Sequence, residues 1–191
     1  SISQIGFIVL ALGIGTDLAL FGAVFHMLNH AVFKALLFYN AGAVEMYTGT
    51  RDLRQLGRLS GKMGVTRVTS MIGTLSVSGL PPFNGFFSKL VIIIAAVQAG
   101  AVASAVVAVI GSILTLGYFL KFQRYGFFGD REVSPAGPPV SFGMKTAMIT
   151  LAALCLLLSL VMLPAVRETV FDPVVRDIVN SQAYIKLVLG G

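Results

Sequence analysis

Two histidines and a lysine recur at four-residue intervals inside an apolar stretch of the sequence. Residues 25–38 read FHMLNHAVFKALLF, so His26, His30 and Lys34 are evenly spaced. A helix turns about 100° per residue, which places the three side chains within about 80° of one another and about 6 Å apart in rise. Imidazole and amine groups exchange protons, and imidazole does so near neutral pH. The spacing therefore predicts a proton relay along one helix face.

Asn40 and Glu45 fall near the same edge of this helix and are predicted to extend the polar path. Two alternative interpretations stay open for this polar helix face. It could be a static network of interhelical hydrogen bonds, or the His-x-x-x-His pair could bind zinc. A zinc site needs a third ligand, and Lys34 stands where one would help, so we predict no metal site.

Composition places these residues in a membrane. The chain has 191 residues, of which 56% are hydrophobic and 12% charged, and its mean hydropathy is +0.88. A soluble domain carries about 25% charged residues, so several long apolar runs predict a helical protein that crosses the membrane several times. The net charge of +6 comes from basic residues between these runs, which argues against a nucleic-acid partner. Cys155, the only cysteine, is predicted to be a small buried hydrophobe without a disulfide.

The apolar pattern predicts an all-α bundle with six membrane-embedded segments, namely 1–13, 19–46, 63–79, 83–99, 101–123 and 142–164. Lys34 would lie deep in the second segment. A charge there costs from ~2.5 to more than 10 kcal/mol, so such a lysine normally faces the bundle interior and marks an ion path. The first segment is shorter than the ~20 residues that a span needs, so we expect a fragment or a helix completed by a neighbouring polypeptide.

A second lysine follows a break in the pattern. Residues 79–89 read GLPPFNGFFSK, and adjacent prolines preclude an uninterrupted helix. A broken helix persists inside a bilayer only where it lines a cavity, so Lys89 is a candidate for the ion path. Ser78, directly before the break, is predicted to help hydrate that path. The alternative is an ordinary surface turn with Lys89 at the membrane interface.

Charge counts give a weak prediction of orientation. Between residues 51 and 67 five basic residues accompany one acidic residue, Asp52. The other side of the membrane is predicted to hold a more balanced set, namely Lys121, Arg124, Arg131 and Lys145 with Asp17, Asp130 and Glu132. Because cytoplasmic loops are enriched in Lys and Arg, the 51–67 connector is predicted to face the cytoplasm.

Four segments occur together in an order and spacing that resemble one family: SISQIGFI, FHMLNHAVFKALLF, RDLRQLGRL and GLPPFNGFFSK. The chain resembles the antiporter-like membrane subunits of respiratory NADH–quinone oxidoreductases, multisubunit cation/proton antiporters and membrane-bound hydrogenase relatives. That family has two inverted five-helix repeats, and the resemblance covers only the second. It implies a repeat with the ion pathway at 1–123 and a loop and flanking transmembrane helix at 124–165. After Pro164, apolar residues alternate with charged ones, which predicts an amphipathic tail at 166–191.

The resemblance also implies roles. Lys34 would be the central lysine of a half-channel, His26 and His30 its relay neighbours, and Lys89 the ionisable group of the broken helix, a position where relatives can carry glutamate. The implied function is proton or cation translocation in the cell membrane, with an N-terminal half and other membrane subunits as partners. A proton on Lys34 and one on Lys89 would repel each other.

No residue of this chain supplies redox chemistry, so we expect no cofactor and no catalytic residue of its own; whether the complex is an enzyme stays open. Two alternatives for the function also stay open. One is a structural membrane subunit without its own conduction path, and the other is an independent small-solute transporter, which the short first segment disfavours.

Overall fold

The computed structural model describes residues 1–57, 59–129, 133–166, 168–169 and 172–179. Within these ranges the secondary structure is helical and contains no strand, which confirms the all-α class. The α-helices are α1 (Ile2–Ile14), α2 (Asp17–Thr48), α3 (Gly64–Ser78), α4 (Asn84–Gln98), α5 (Val102–Phe127), α6 (Phe142–Leu157), α7 (Pro164–Val166) and α8 (Asp172–Val179). Short 3-10 turns occupy Leu53–Gln55, Leu59–Gly61 and Leu158–Met162.

In the described part of the chain, three helices are long and apolar enough to cross a membrane: α2, α5, and α6 together with the 3-10 turn that ends at Met162. The helix α2 is central and packs against α1, α3, α4 and α6. Large apolar side chains of α5, such as Val107, Ile113 and Leu114, are more than half exposed, as expected for a surface that faces lipid or another subunit. The segment predicted at 142–164 is confirmed by α6 and its 3-10 extension.

The helices α3 and α4 are two halves of one interrupted helix that runs antiparallel to α2. Their contacts move steadily from the end of α2 to its beginning: Thr69 with Asn40, Gly73 with Leu37, Asn84 with Asn29, Ser88 with His26, and Ile92 with Gly22. Each half has 15 residues and is about 22 Å long, less than the ~30 Å hydrocarbon core. The helices predicted at 63–79 and 83–99 and the break between them are confirmed, but together the two helices cross the membrane once, not twice.

The break is built from glycine and proline. Gly79 ends α3 with φ 80°, a left-handed conformation that other residues rarely adopt. Pro81 and Pro82, joined by a cis peptide bond, lack N–H groups and separate the halves. Gly85 lies so close to the Ser76 carbonyl that a Cβ atom there would overlap the oxygen. The two halves thus pass each other by about one turn, and only a glycine fits the contact.

The two groups of basic residues lie at the same end of the bundle. The Ala136 N–H donates to the Tyr47 carbonyl at 2.9 Å, Lys62 donates to the Val133 carbonyl at 3.2 Å, and Arg67 lies over the Phe128 ring. The predicted placement on opposite sides is wrong, because α3 and α4 cross the membrane once and α5 therefore returns to the end where α3 began. Arg131, Asp130 and Glu132 lie outside the described residues.

The helix α8 packs against the beginning of α2. Val175 of α8 is buried in a cluster with Phe21, Phe25, Val91 and Val161. The amphipathic tail predicted at 166–191 is helical at Asp172–Val179, and residues 180–191 lie outside the described part of the chain. Its place at a membrane interface, like the division at 123 and 165, stays a prediction.

Candidate proton-relay site

His26 is fully buried where α2 faces α4. Its Nδ1 lies 2.8 Å from the Ser88 hydroxyl, which is also within 3.4 Å of the Asn84 and Gly85 carbonyls. Its Nε2 is buried and has no hydrogen-bond partner among the described residues. The two ring nitrogens therefore have different surroundings: one is tied to the interrupted helix, and the other has no described partner. The centroid of the Phe7 ring of α1 lies 5.5 Å from that of the imidazole ring.

Lys89 is buried, which confirms the prediction of an interior lysine over a surface turn. Its ammonium donates to the Val77 carbonyl at 2.9 Å and to the Ser78 carbonyl at 3.4 Å. These carbonyls end α3, so they have no partner within the helix and carry the negative end of its dipole. The interruption of the helix thus creates the acceptors that hold a buried cation.

The Phe7 ring of α1 contacts both His26 and Lys89. The Lys89 ammonium is 4.9 Å from the ring centroid, a cation–π contact, and the His26 ring packs on the same phenyl group. His26 interacts electrostatically with both Lys89 and His30, and His30 interacts with Lys34. Each of the four predicted relay residues therefore lies within electrostatic reach of the next, in the order Lys34, His30, His26, Lys89.

Lys34 is only half-buried. Its ammonium lies 5.5 Å from the centroid of the Phe38 ring, at the edge of a cavity of about 260 Å³ that His30 and Gln4 also line. The His30 ring packs edge-on against Phe33 in the same wall. Lys34 lies near the middle of α2, as its predicted depth in the second segment requires, but its side chain is only partly buried and lines the cavity.

The predicted secondary path is divided among three places. Asn40 is buried, donates to the Leu36 carbonyl at 2.7 Å and accepts from Thr69 at 2.8 Å, so it joins α2 to α3. The Ser78 hydroxyl donates to the Thr74 carbonyl at 2.7 Å, and only its own carbonyl contacts Lys89. Hydroxyls in membrane helices commonly bond the backbone in this way.

Glu45 does not lie among the buried polar side chains of α2. It forms a 2.7 Å ion pair with Arg51, and its side chain is 41% exposed. The predicted extension of the polar path to Glu45 is therefore wrong, because Glu45 lies about three turns past Lys34, in the last turn of α2. The predicted position of Glu45 around the helix was right, but its position along the helix axis was not.

Several polar residues of the site were missed from the sequence. Asn29 and Asn84 exchange side-chain hydrogen bonds, with Asn29 donating to the Asn84 carbonyl at 3.1 Å and Asn84 donating to the Asn29 amide oxygen at 2.9 Å. The Ser76 hydroxyl also donates to Asn84. Asn29, three residues from His26, could have been found by the same helical spacing; Asn84 and Ser88 could not, because their contact with α2 depends on how the broken helix packs.

A separate polar cluster lies between α3 and α5. Gln123 donates to the Ser70 and Thr74 hydroxyls at 2.8 and 2.7 Å. Cys155 is buried in the core, as predicted, and lies beside the Ser76 hydroxyl. Across the described ranges, no three His, Cys, Asp or Glu side chains come close enough to hold a metal ion.

Comparison with known proteins gives consistent matches. The family model described as "NADH:quinone oxidoreductase/Mrp antiporter, TM" matches residues 1–115. One subunit of the Na(+)/H(+) antiporter of Alkalihalophilus pseudofirmus is 33% identical over 189 residues, which cover 98% of this chain and 38% of that protein. The NADH-quinone oxidoreductase subunit N of Desulforudis audaxviator is 38% identical over 144 residues, or 72% of this chain and 29% of that protein.

A solved structure agrees with the sequence matches. A chain of the Mrp complex from Dietzia sp. DQ12-45-1b superposes with a TM-score of 0.88 at 27% identity. The superposition covers 97% of this chain and 42% of that chain. The present chain therefore spans less than half the length of the relatives that it matches.

Proposed function

The chain belongs to the NADH:quinone oxidoreductase/Mrp antiporter transmembrane family, and on that premise we propose that it forms one half-channel of a subunit that moves protons, or another small cation, across the cell membrane. It is a multi-pass membrane protein. The subunit would work within a multisubunit complex, as the relatives' names as antiporter and oxidoreductase subunits suggest. No cofactor is proposed for this chain.

One observation supports the proposal above all: four proton-exchanging side chains follow one another from a cavity to the break between α3 and α4. Lys34 lies at the cavity, His30 and His26 follow along α2, and Lys89 lies at the end of α3. In a site with little water, a proton on one member repels a proton on the next. A charge that arrives at Lys34 would thus drive a proton away from the far end.

Lys89 fits the far end of this relay. The α3 carbonyls stabilise its ammonium form, so it can hold a proton inside the bundle until repulsion from the histidines displaces it. Ser88 and His26 provide the connection to α2. The electrostatic coupling that the sequence suggests between two lysines would therefore act stepwise through two imidazoles.

The partners are proposed from length and packing. This chain spans 38% of the matched antiporter protein of Alkalihalophilus pseudofirmus and 42% of the matched Mrp chain. We therefore propose that an N-terminal portion or companion half completes the ion path and that other membrane subunits cover the exposed apolar surface. That surface includes large side chains along α5.

The test is substitution in the assembled complex. Lys34→Ala and Lys89→Ala should each reduce proton or cation transport by at least tenfold while the complex still assembles. Lys121→Ala is the matched control, because Lys121 also lies over an aromatic ring, Tyr125, but outside the relay. Transport would be measured with a fluorescent pH probe in reconstituted vesicles. Unchanged transport by both relay variants would instead favour a purely structural subunit.

A further inference from the structure

Gln4 of α1 is a buried amide without partners. It is only 2% exposed, and neither its Oε1 nor its Nε2 makes a hydrogen bond to any described residue. Buried polar atoms in folded proteins are nearly always satisfied, by protein or by ordered water. His26 Nε2 is in the same situation. Two unsatisfied groups close to the relay call for an explanation beyond packing.

The helix register brings Gln4 to the level of the relay. A short turn at Gly15 and Thr16 joins α1 to α2, so the two helices are antiparallel neighbours. Phe7 contacts His26. Gln4 lies one turn before Phe7 on the same face, which in antiparallel packing is the level of the next turn of α2, toward His30.

The cavity supports this placement, because Gln4 lines it together with His30 and Lys34. Its volume of about 260 Å³ can hold several water molecules, each of which occupies about 30 Å³ in the liquid. An amide has a donor and an acceptor, so it can orient a water molecule in either direction. A glutamine is therefore a suitable support for a water that passes protons.

We propose that Gln4 is a positioning residue of the relay: its amide holds a water molecule against His26 Nε2 and so connects the cavity of His30 and Lys34 with the buried imidazole. Nε2 then accepts a proton from the water as the water takes up a proton from the cavity side, so that the water stays neutral, while Nδ1 keeps its hydrogen bond with Ser88. The water bridges the point at which the relay passes from the cavity into the closed interior. This inference rests on the proposed transport function.

The first test is transport by Gln4 variants of the assembled complex. Gln4→Leu removes both polar atoms at similar volume and should lower the transport rate by about tenfold with assembly unchanged. Gln4→Glu retains hydrogen bonding, so it should restore much of the rate and add a new titration to the pH profile, which a merely structural role would not do. Ser112→Ala is the control, because the Ser112 hydroxyl is also buried without a described partner but does not line the cavity. Wild-type transport by Gln4→Leu, or a Glu variant as slow as the Leu variant, overturns the proposal.

The second test is direct. A cryo-electron-microscopy map of the complex at a resolution that resolves waters should show a density peak about 3 Å from both the Gln4 amide and His26 Nε2. A side chain of another polypeptide in that place, or a Gln4 amide bonded to protein alone, overturns the proposal. This readout is independent of transport. If the water peak is present but Lys34→Ala and Lys89→Ala transport normally, the relay itself is refuted. If the lysine variants are inactive but Gln4→Leu transports normally, only the role of Gln4 is refuted.

Discussion

At the scale of single residues, the helical spacing predicted which side chains share a face of α2, but it did not predict which residues of other helices they contact. The sequence placed His26, His30 and Lys34 on one face, and the structure arranges them in that order. It could not show that Ser88 contacts His26, because this pair joins residues 62 positions apart. The position along the helix axis was also not predictable: Glu45 lies at nearly the same angle around α2 as the relay residues, but at the exposed end of the helix.

Ser88 gives a sharp prediction at this scale. Ser88→Ala removes the hydrogen-bond partner of His26 Nδ1, and a hydrogen bond of this kind contributes about 0.5–1.5 kcal/mol. We expect transport to fall by about three- to tenfold, with normal assembly of the complex. The measurement is the initial rate of pH change in reconstituted vesicles.

Ser78→Ala is the matched control for Ser88→Ala. Ser78 is similarly buried, and its hydroxyl donates to the Thr74 carbonyl, while the contact of its own carbonyl with Lys89 survives the substitution. Its transport rate should stay close to wild type. Equal losses in both variants would mean that hydroxyls near Lys89 act through stability and that Ser88 has no special link to His26.

At the scale of helices, the interruption was predictable but the number of crossings was not. Two prolines and flanking glycines in GLPPFNG exclude a continuous helix, and the observed gap lies between Ser78 and Asn84. Composition does not reveal whether the chain turns back after such a break or continues in the same direction. Contacts with α2 decide that it continues, so the broken helix offers its carbonyls to Lys89 in the bundle interior.

Gly85 tests the importance of the overlap between the two half-helices. Gly85→Ala would place a methyl group on the Ser76 carbonyl oxygen, and the backbone must shift to relieve the overlap. Overpacking of this kind costs about 1–3 kcal/mol. We expect a lower melting temperature of the purified complex and less assembled complex in the membrane.

The comparison for Gly85→Ala is Gly117→Ala in the middle of α5. No atom of the described chain lies within 4 Å of a Cβ added at Gly117. In a helix interior, alanine is favoured over glycine by up to about 1 kcal/mol, so this variant should be as stable as wild type or slightly more so. A Gly85→Ala variant with unchanged stability would contradict the close contact between α3 and α4.

At the scale of the whole molecule, the corrected topology makes the charge distribution far more one-sided than the sequence counts implied. One end of the bundle holds seven described basic side chains and two carboxylates: Arg51, Arg54, Lys62, Arg67, Lys121, Arg124 and Lys145 with Glu45 and Asp52. Asp17 lies at the other end, where α2 begins. Since short cytoplasmic loops are enriched in Lys and Arg, this distribution predicts that the basic end faces the cytoplasm.

Cysteine labelling in the assembled complex tests this orientation. In a Cys155→Ser background, which removes the only cysteine, Gly61→Cys marks the basic end and Ala99→Cys marks the opposite end, and both positions are exposed. A membrane-impermeant maleimide should label Gly61→Cys in inverted vesicles and Ala99→Cys in intact cells. The reverse pattern would place the basic end outside. Lys89 belongs to α4, next to Ser88, whose contact with His26 lies on the half of α2 nearer Asp17. In this orientation protons displaced from Lys89 therefore leave toward the outer face.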